Sequence, residues 1–298
     1  MVIFSYALFP FLLFITLHIQ KIQNKYYKFK YFNSALLAAT GTVFLLLLNF
    51  NNLNLENFQF LKDYKFYIAQ IFSIFFIIIQ IKIRKYNEEN LTICYFVNFL
   101  SIAIIPFVSI FLMYIFEFKN TLEIEYKSFY HVIGLSASLF ILSTLFYIDK
   151  LRNKSIKKVN WLIAAFIIGS FASVFSSKLM QEYDPTNYMI VATIINFIAF
   201  IIIFGAKEAK DYSELKESLF LNKNSYFVMA AFYCISLNIN IFIISNIPAE
   251  YYSIIRNVGI ILMNYFYSYY YENINLINLK DSFILFLIIA VLAFFTMN

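Results

Sequence analysis

Glycine, cysteine and charged side chains are all scarce in this sequence. Five glycines among 298 residues provide no glycine-rich loop of the kind that holds phosphate groups, so we expect no ATP-driven pump in this chain alone. The two cysteines, Cys94 and Cys234, stand far apart in apolar runs, which predicts two buried thiols rather than a disulfide or a metal site. The apolar runs also lack paired carboxylates and histidine clusters, so the sequence predicts neither an enzyme nor a bound cofactor.

Apolar and aromatic side chains are abundant instead. Hydrophobic residues make up 62% of the chain and charged residues only 13%, and the mean hydropathy is +0.73. Soluble domains are about 45–50% apolar and about 25% charged. This composition therefore predicts an integral membrane protein that crosses the bilayer several times, and we expect it in a bacterial inner (plasma) membrane.

Ten segments are long and apolar enough to cross a bilayer, which takes about 20 residues. They lie at about 2–20, 32–50, 65–83, 91–116, 129–148, 160–179, 187–206, 225–245, 249–271 and 282–297. Because lipid offers no hydrogen bonds to the backbone, each predicted span is a helix. The predicted fold class is therefore all-α, and the polar segments between the spans are too short to form a soluble domain.

Lysine and arginine are distributed unequally between the two sets of loops. The loops after odd-numbered spans hold 17 of them. The opposite set holds five, namely Lys62, Lys65, Lys119, Lys127 and Lys178. Positive charge is enriched in cytoplasmic loops, so this count places the odd loops in the cytoplasm and both termini outside. Anionic lipid headgroups account for such loop lysines, and we expect no nucleic-acid partner.

A weak internal repeat divides the chain into halves of five spans, 1–150 and 151–298. The fourth and ninth spans are both long and end in a glutamate, Glu117 and Glu272, and each is followed by a lysine-bearing link and a Ser-Phe pair. An odd number of spans per half inserts the second half upside down relative to the first. Inverted repeats of this kind are typical of secondary transporters.

Two segments of the second half resemble a known family. They are "NWLIAAFIIGSFASVFSSKLMQEYDPTNYMIVATIINFIAF" (160–200) and "NIPAEYYSIIRNVGIILMNYFYSYYYENINLINL" (246–279), which are similar to the sixth, seventh and ninth helices of the drug/metabolite transporter (DMT) superfamily, EamA type. The family has a glycine before the closing glutamate, where this chain has Phe116 and Tyr271. The resemblance implies ten helices around a cavity formed by the third, fourth, eighth and ninth. It also implies cytoplasmic termini, opposite to the lysine distribution.

Arg256 is the principal candidate for a substrate-binding residue. It lies inside the ninth span, six residues after Glu250, and charged residues within spans usually face a cavity and are functional. The alternatives are that Arg256 extends to the headgroups or pairs with a carboxylate. Four amides complete the candidate site as hydrogen-bonding groups: Asn257, Asn264, Asn238 and Asn98. We expect Lys178, at the end of the sixth span, to extend to the headgroups.

These observations predict a secondary carrier that moves a small polar or amphipathic metabolite by alternating access. The expected partners are that metabolite and membrane lipids, and a homodimer is left open. A flippase for a lipid-linked substrate would share the fold. A membrane-embedded enzyme and a structural subunit are weaker alternatives. The identity of the substrate, the direction of transport and its energy source lie beyond the sequence.

Overall fold

The computed structural model describes residues 30–50, 55–86, 91–118, 128–151, 159–205, 223–248 and 251–252, together with six single positions between 284 and 294. Seven α-helices lie in this part of the chain: α1 Lys30–Leu48, α2 Tyr64–Tyr86, α3 Leu91–Phe116, α4 Phe129–Leu151, α5 Val159–Glu182, α6 Pro185–Phe200 and α7 Lys223–Asn246. A 3-10 helix, Leu55–Lys62, precedes α2, and a π-helical turn, Ile201–Gly205, continues α6. No strand occurs among the residues described, so the predicted all-α class is confirmed for them.

The seven helices coincide, within a few residues, with the second to eighth predicted spans. The first span, most of the ninth and most of the tenth lie outside the described residues. The predicted count of ten spans and the division at residue 150 therefore stay predictions. The 3-10 helix was not predicted, because its sequence had been assigned to a polar loop.

Three of the helices are long and apolar enough to cross a membrane, over Phe129–Phe146, Asn160–Glu182 and Pro185–Ile203. A fourth such span results if the 3-10 helix and α2 count as one, with a bend of 72° between them. Shorter apolar stretches lie at Ala38–Leu48, Leu100–Phe116 and Ala230–Asn246. Length and composition thus fit a membrane protein.

The outer surface of the bundle is apolar. On α2, Tyr67, Ile71 and Phe75 follow one another at four-residue spacing, and 52–54% of each remains exposed. Residues four apart lie on one face of a helix, so they form a continuous apolar stripe. Soluble monomers rarely expose large apolar patches, whereas a surface of this kind suits the hydrocarbon of a bilayer.

Helix α5 lies at the centre of the described bundle. It packs against α2, α3, α6 and α7. Helix α4 packs on α3, and α1 packs against α6 and α7. Helices α2 and α5 are antiparallel, because Lys65 at the start of α2 contacts Glu182 at the end of α5, while Lys82 contacts Trp161 at their opposite ends.

Two glycines allow helices to approach closely. A Cβ atom at Gly169 on α5 would lie 2.6 Å from the ring of Phe76 on α2. A Cβ atom at Gly41 on α1 would lie 2.6 Å from the ring of Tyr233 and 3.2 Å from the carbonyl oxygen of Ala230, both on α7. Small residues at such contacts are typical of helix pairs in membranes.

Candidate functional site

Most of the predicted substrate-binding residues cannot be located. Three of them lie outside the described residues: Arg256, Asn257 and Asn264. Asn98 belongs to α3, but its side chain is not among those described. Asn238 is exposed on α7, and its Nδ2 donates to the backbone oxygen of Cys234 at 3.0 Å. Asn238 thus bonds to its own helix, and the five-residue site stays a prediction.

Two residues near the predicted start of the ninth span, Tyr251 and Tyr252, are described. The backbone N–H of Tyr252 donates to the oxygen of Pro248 at 3.1 Å. The hydroxyl of Tyr252 donates to Oδ1 of Asn240 on α7, and Nε2 of Gln181 on α5 donates to the oxygens of Ile244 and Ile247 at 2.9 and 2.8 Å. Gln181 therefore bonds the end of α7 to α5, and Tyr252 bonds back to the middle of α7.

Two aspartates begin helices at this same end of the bundle. Oδ1 of Asp63 accepts from the backbone N–H of Lys65 at 2.9 Å, and Oδ1 of Asp184 accepts from that of Asn187 at 2.7 Å. Aspartate is a favoured N-cap residue because it accepts N–H groups that have no partner within the helix. Pro185 is the first residue of α6, a position at which its missing N–H costs nothing. The caps place the starts of α2 and α6 beside the end of α5.

A charged cluster forms where these three helix ends meet. We call it the Lys65 cluster, and it comprises Lys65, Asp63, Glu182 and Tyr183. Nζ of Lys65 lies 3.0 and 3.2 Å from the two carboxylate oxygens of Glu182 and 3.4 Å from Oδ2 of Asp63. The hydroxyl of Tyr183 donates to the same Oδ2 at 2.7 Å. The Lys65 ammonium group therefore contacts both carboxylates, and the Tyr183 hydroxyl donates to one of them.

The Lys65 cluster is almost enclosed by protein. The side chains of Lys65, Asp63 and Glu182 are 10%, 11% and 9% exposed. Nζ of Lys65 also lies 4.8 Å from the centre of the Phe118 ring, within the range of a cation–π interaction. Buried ions lose hydration, and close pairing with additional hydrogen bonds is what offsets that cost.

Tyr183 acts as a neutral donor in this cluster. Its burial raises the pKa of the phenol well above the usual value, and the hydrogen bond to Asp63 raises the pKa further. The negative charges of Asp63 and Glu182 act in the same direction. The phenol therefore keeps its proton, and with it the bond to Asp63, throughout the physiological range of pH.

A group of aromatic rings packs beside Tyr183 of the Lys65 cluster. The ring centre of Phe60 lies 6.2 Å from that of Tyr183, 5.0 Å from Phe66 and 5.7 Å from Tyr188. These residues belong to the largest buried core of the described part of the chain. The low polarity of such surroundings strengthens each interaction between charges.

Lys178 lies inside the protein, and our expectation that it reaches the headgroups was wrong. It is 0% exposed on α5, one helical turn before Glu182. A long side chain can reach the headgroups only from an outward-facing position, and Lys178 faces inward. Lys65 is buried as well, so two of the five lysines counted in the even-numbered loops are enclosed. Neither of these two lysines is an exposed loop charge.

A second layer of polar side chains lies between α2 and α6. Nε2 of Gln70 donates to the hydroxyl of Tyr188 at 3.3 Å, and Nδ2 of Asn196 donates to Oγ of Ser73 at 3.2 Å. The amide oxygens of Gln70 and Asn196 are buried and accept no hydrogen bond from the described residues. Buried polar atoms nearly always have a hydrogen-bond partner, so this interface can still accept hydrogen bonds.

The sequence contained a signal for the Lys65 cluster that our reading missed. Asp63, Glu182 and Asp184 are acidic residues at the junctions of apolar runs, and the link between α5 and α6 is only Tyr183-Asp184. Carboxylates at so short a link must lie close to the bundle. We had counted the nearby lysines as loop charges instead of as their counterions.

Comparison with known proteins does not assign the chain. No protein-family model matches it, and no curated protein sequence matches it either. Among the described residues, no group of three or more histidines, cysteines or carboxylates could hold a metal ion. Any assignment of function therefore depends on the geometry above.

Proposed function

We propose that this chain is a multi-pass membrane carrier that moves a small polar or amphipathic metabolite by alternating access. One observation carries the proposal: charged side chains are buried on the inner faces of helices whose outer faces are apolar. Lys65, Lys178 and Glu182 are the examples. Burying charge inside a bilayer-sized bundle is costly, and such residues usually mark a substrate or ion pathway.

The packing of the helices supports two inverted halves. In that arrangement, each span of the first half corresponds to the span five places later. Helices α1 and α6, the second and seventh predicted spans, would correspond to each other, and they pack together. Helix α2 would correspond to α7 in the same way. The symmetry would therefore relate the α2–α6 contact to the α7–α1 contact, and both contacts occur. These contacts favour a pseudo-two-fold axis near α1 and α6, as in a DMT-type carrier.

The polar residues favour a pathway between the halves. In this proposal, the cargo passes along the buried face of α2, where Gln70 and Ser73 meet α6. Their amide and hydroxyl groups would bind polar cargo, and Arg256 on the ninth span would bind an anionic group on it. Asn98, Asn238, Asn257 and Asn264 remain the proposed hydrogen-bonding residues.

The direct test is solute exchange in reconstituted vesicles. Purified protein is placed in vesicles loaded with a deproteinised bacterial extract, and mass spectrometry identifies the solutes released faster than from protein-free vesicles. We expect selective release of one class of small polar metabolites. Arg256→Ala should reduce that release at least about tenfold, while Lys62→Ala, which removes an exposed charge, should not.

Two results would refute the proposal. If the wild-type protein releases no solute above the protein-free background, in either orientation, it is not a carrier of soluble metabolites. If instead a headgroup-labelled lipid changes leaflet without any release of solute, the chain is a flippase. Normal release by Arg256→Ala would remove Arg256 from the site but leave the carrier intact.

A further inference from the structure

Helices α2 and α5 are joined at both ends, but by unequal contacts. At one end, the Lys65 cluster provides two short Lys65–Glu182 contacts and the Tyr183–Asp63 hydrogen bond. At the other end, Nζ of Lys82 lies 4.1 Å from the centre of the Trp161 ring. A cation–π contact at a partly exposed site is a weak interaction. The described ion pairs between the two helices therefore lie at the Lys65 end, whereas an apolar cluster of Ile79, Ile83, Leu162 and Ala165 packs the opposite end.

We propose that the Lys65 cluster is a gate, which opens when the start of α2 separates from the end of α5. This inference rests on the proposed carrier function, because alternating access requires each end of the bundle to open in turn. The cluster joins the first half of the chain to the second, since Asp63 and Lys65 belong to one half and Glu182 and Tyr183 to the other. Relative movement of the halves must break these contacts.

The composition of the cluster makes this opening feasible. Asp63 caps α2 and lies 3.4 Å from Nζ of Lys65, so it would move together with the lysine. The cation therefore keeps a counterion after α5 has moved away. Only Glu182 would then lose its counterion. A solitary Lys–Glu pair would leave both charges unpaired, and breaking a buried pair is strongly unfavourable.

The contact between Gly169 and Phe76 provides a pivot between the two ends. Gly169 lies 13 residues from Glu182 but only 8 from Trp161, which corresponds to about 20 Å and about 12 Å along α5. A rotation of about 10° around this contact would displace Glu182 by about 3 Å. The shorter Lys65–Glu182 contact is 3.0 Å, so a displacement of this size away from α2 would lengthen it to about 6 Å, beyond the reach of a hydrogen bond. A small rocking motion would therefore open the gate.

The experiment measures access of water to a cysteine halfway along α2. In a chain carrying Cys94→Ala and Cys234→Ala, the reporter is Ser73→Cys, which lies about 12 Å along the helix from Lys65 and about 13 Å from Lys82. A charged, membrane-impermeant methanethiosulfonate is added to intact cells or to inside-out vesicles. The rate of labelling is then compared between variants from each side.

We expect Lys65→Met to raise the labelling rate at least about tenfold when the reagent is added on the side of the membrane at which the 3-10 helix lies. Lys62→Met is the matched control, because it removes an exposed lysine three residues away, and its labelling rate should equal that of the reporter chain. Lys82→Met should not raise labelling from that side. Tyr183→Phe, which keeps the ion pair, should give a smaller increase of about threefold.

An unchanged labelling rate in both Lys65→Met and Tyr183→Phe would overturn the gate, provided that both variants elute as folded protein. If Lys65→Met does not fold, Tyr183→Phe alone decides the question. The labelling needs no transported solute, so it is independent of the carrier test. Faster labelling without solute exchange would establish the opening and refute the carrier. Solute exchange by the wild-type protein, together with an unchanged labelling rate in the variants, would refute only the gate.

Discussion

Removal of the Lys65 cation should destabilise the protein through the carboxylate that it leaves behind. Methionine retains the apolar stem beside Phe118, so the substitution Lys65→Met removes chiefly the charge. Asp63 keeps two donors, the backbone N–H of Lys65 and the hydroxyl of Tyr183. Glu182 loses the cation that contacts both of its oxygens and becomes the uncompensated buried charge.

The size of the effect follows from burial. Breaking a buried ion pair by removing one partner costs about 3–5 kcal/mol. Because the side chain of Glu182 is 9% exposed, we expect the lower end, about 3 kcal/mol. Replacing both members of such a pair by apolar groups is often neutral. The double variant Lys65→Met/Glu182→Leu should therefore recover about 2 kcal/mol of that loss.

The free energy of unfolding can be measured in mixed micelles with increasing sodium dodecyl sulfate. Trp161 is the single tryptophan and gives a fluorescence signal at the opposite end of the α2–α5 pair. Lys62→Met is the control, and its effect should stay within about 0.5 kcal/mol because exposed charges contribute little. The reasoning is refuted if Lys65→Met is as mild as this control, or if the double variant loses the full sum of the two single effects.

Three further predictions concern the caps, the close contacts and the tyrosine. Asp184→Ala should cost about 1 kcal/mol of unfolding free energy, as expected for a lost cap. Asp63→Ala should cost at least about 1 kcal/mol more, because Asp63 also accepts from the tyrosine hydroxyl. Equal losses in unfolding measurements would contradict this. Gly41→Ala should destabilise the protein by about 1–3 kcal/mol. The loss should exceed that of Gly169→Ala, since the methyl group at position 41 meets a backbone carbonyl as well as a ring. The reverse order would contradict the described packing. The pKa of Tyr183 is raised in the folded protein, so the neutral phenol contributes to stability. This contribution is complete below about pH 10, the pKa of an unfolded tyrosine. It falls at higher pH, because there the unfolded state loses the proton while the folded state keeps it. Tyr183→Phe should therefore show a shallower loss of stability above pH 10 than the wild type, and parallel curves would refute this.

The positions of the helices were largely predictable from the sequence. Helix α3 matches its predicted span at both ends, and α4 and α7 differ by three residues or fewer. Uninterrupted apolar runs of about 20 residues have few alternatives to a helix, so local composition decides where such helices lie. The 3-10 helix was missed because Leu55–Lys62 mixes apolar and polar residues without a sustained period.

The Lys65 cluster was not predictable in the same way. Asp63 lies two residues from Lys65, but Glu182 lies 117 residues away, and nothing local indicates that they meet. Lys178 was misjudged for a related reason: its position near the end of an apolar run is the same whether it faces outward or inward. Only the packing of α5 among four other helices decides between these two directions.

The same separation of 117 residues has a consequence for synthesis of the protein. Chains grow at about 5–20 residues per second, so Lys65 emerges about 6 to 23 seconds before Glu182. In the proposed membrane carrier, three further helices would enter the bilayer during this interval, while the lysine has no partner on α5. Asp63 is made just before Lys65 and is the only member of the cluster present from the beginning. The aspartate that caps α2 is thus also the first counterion of the lysine, and in the proposed carrier it would keep that charge paired until α5 is made.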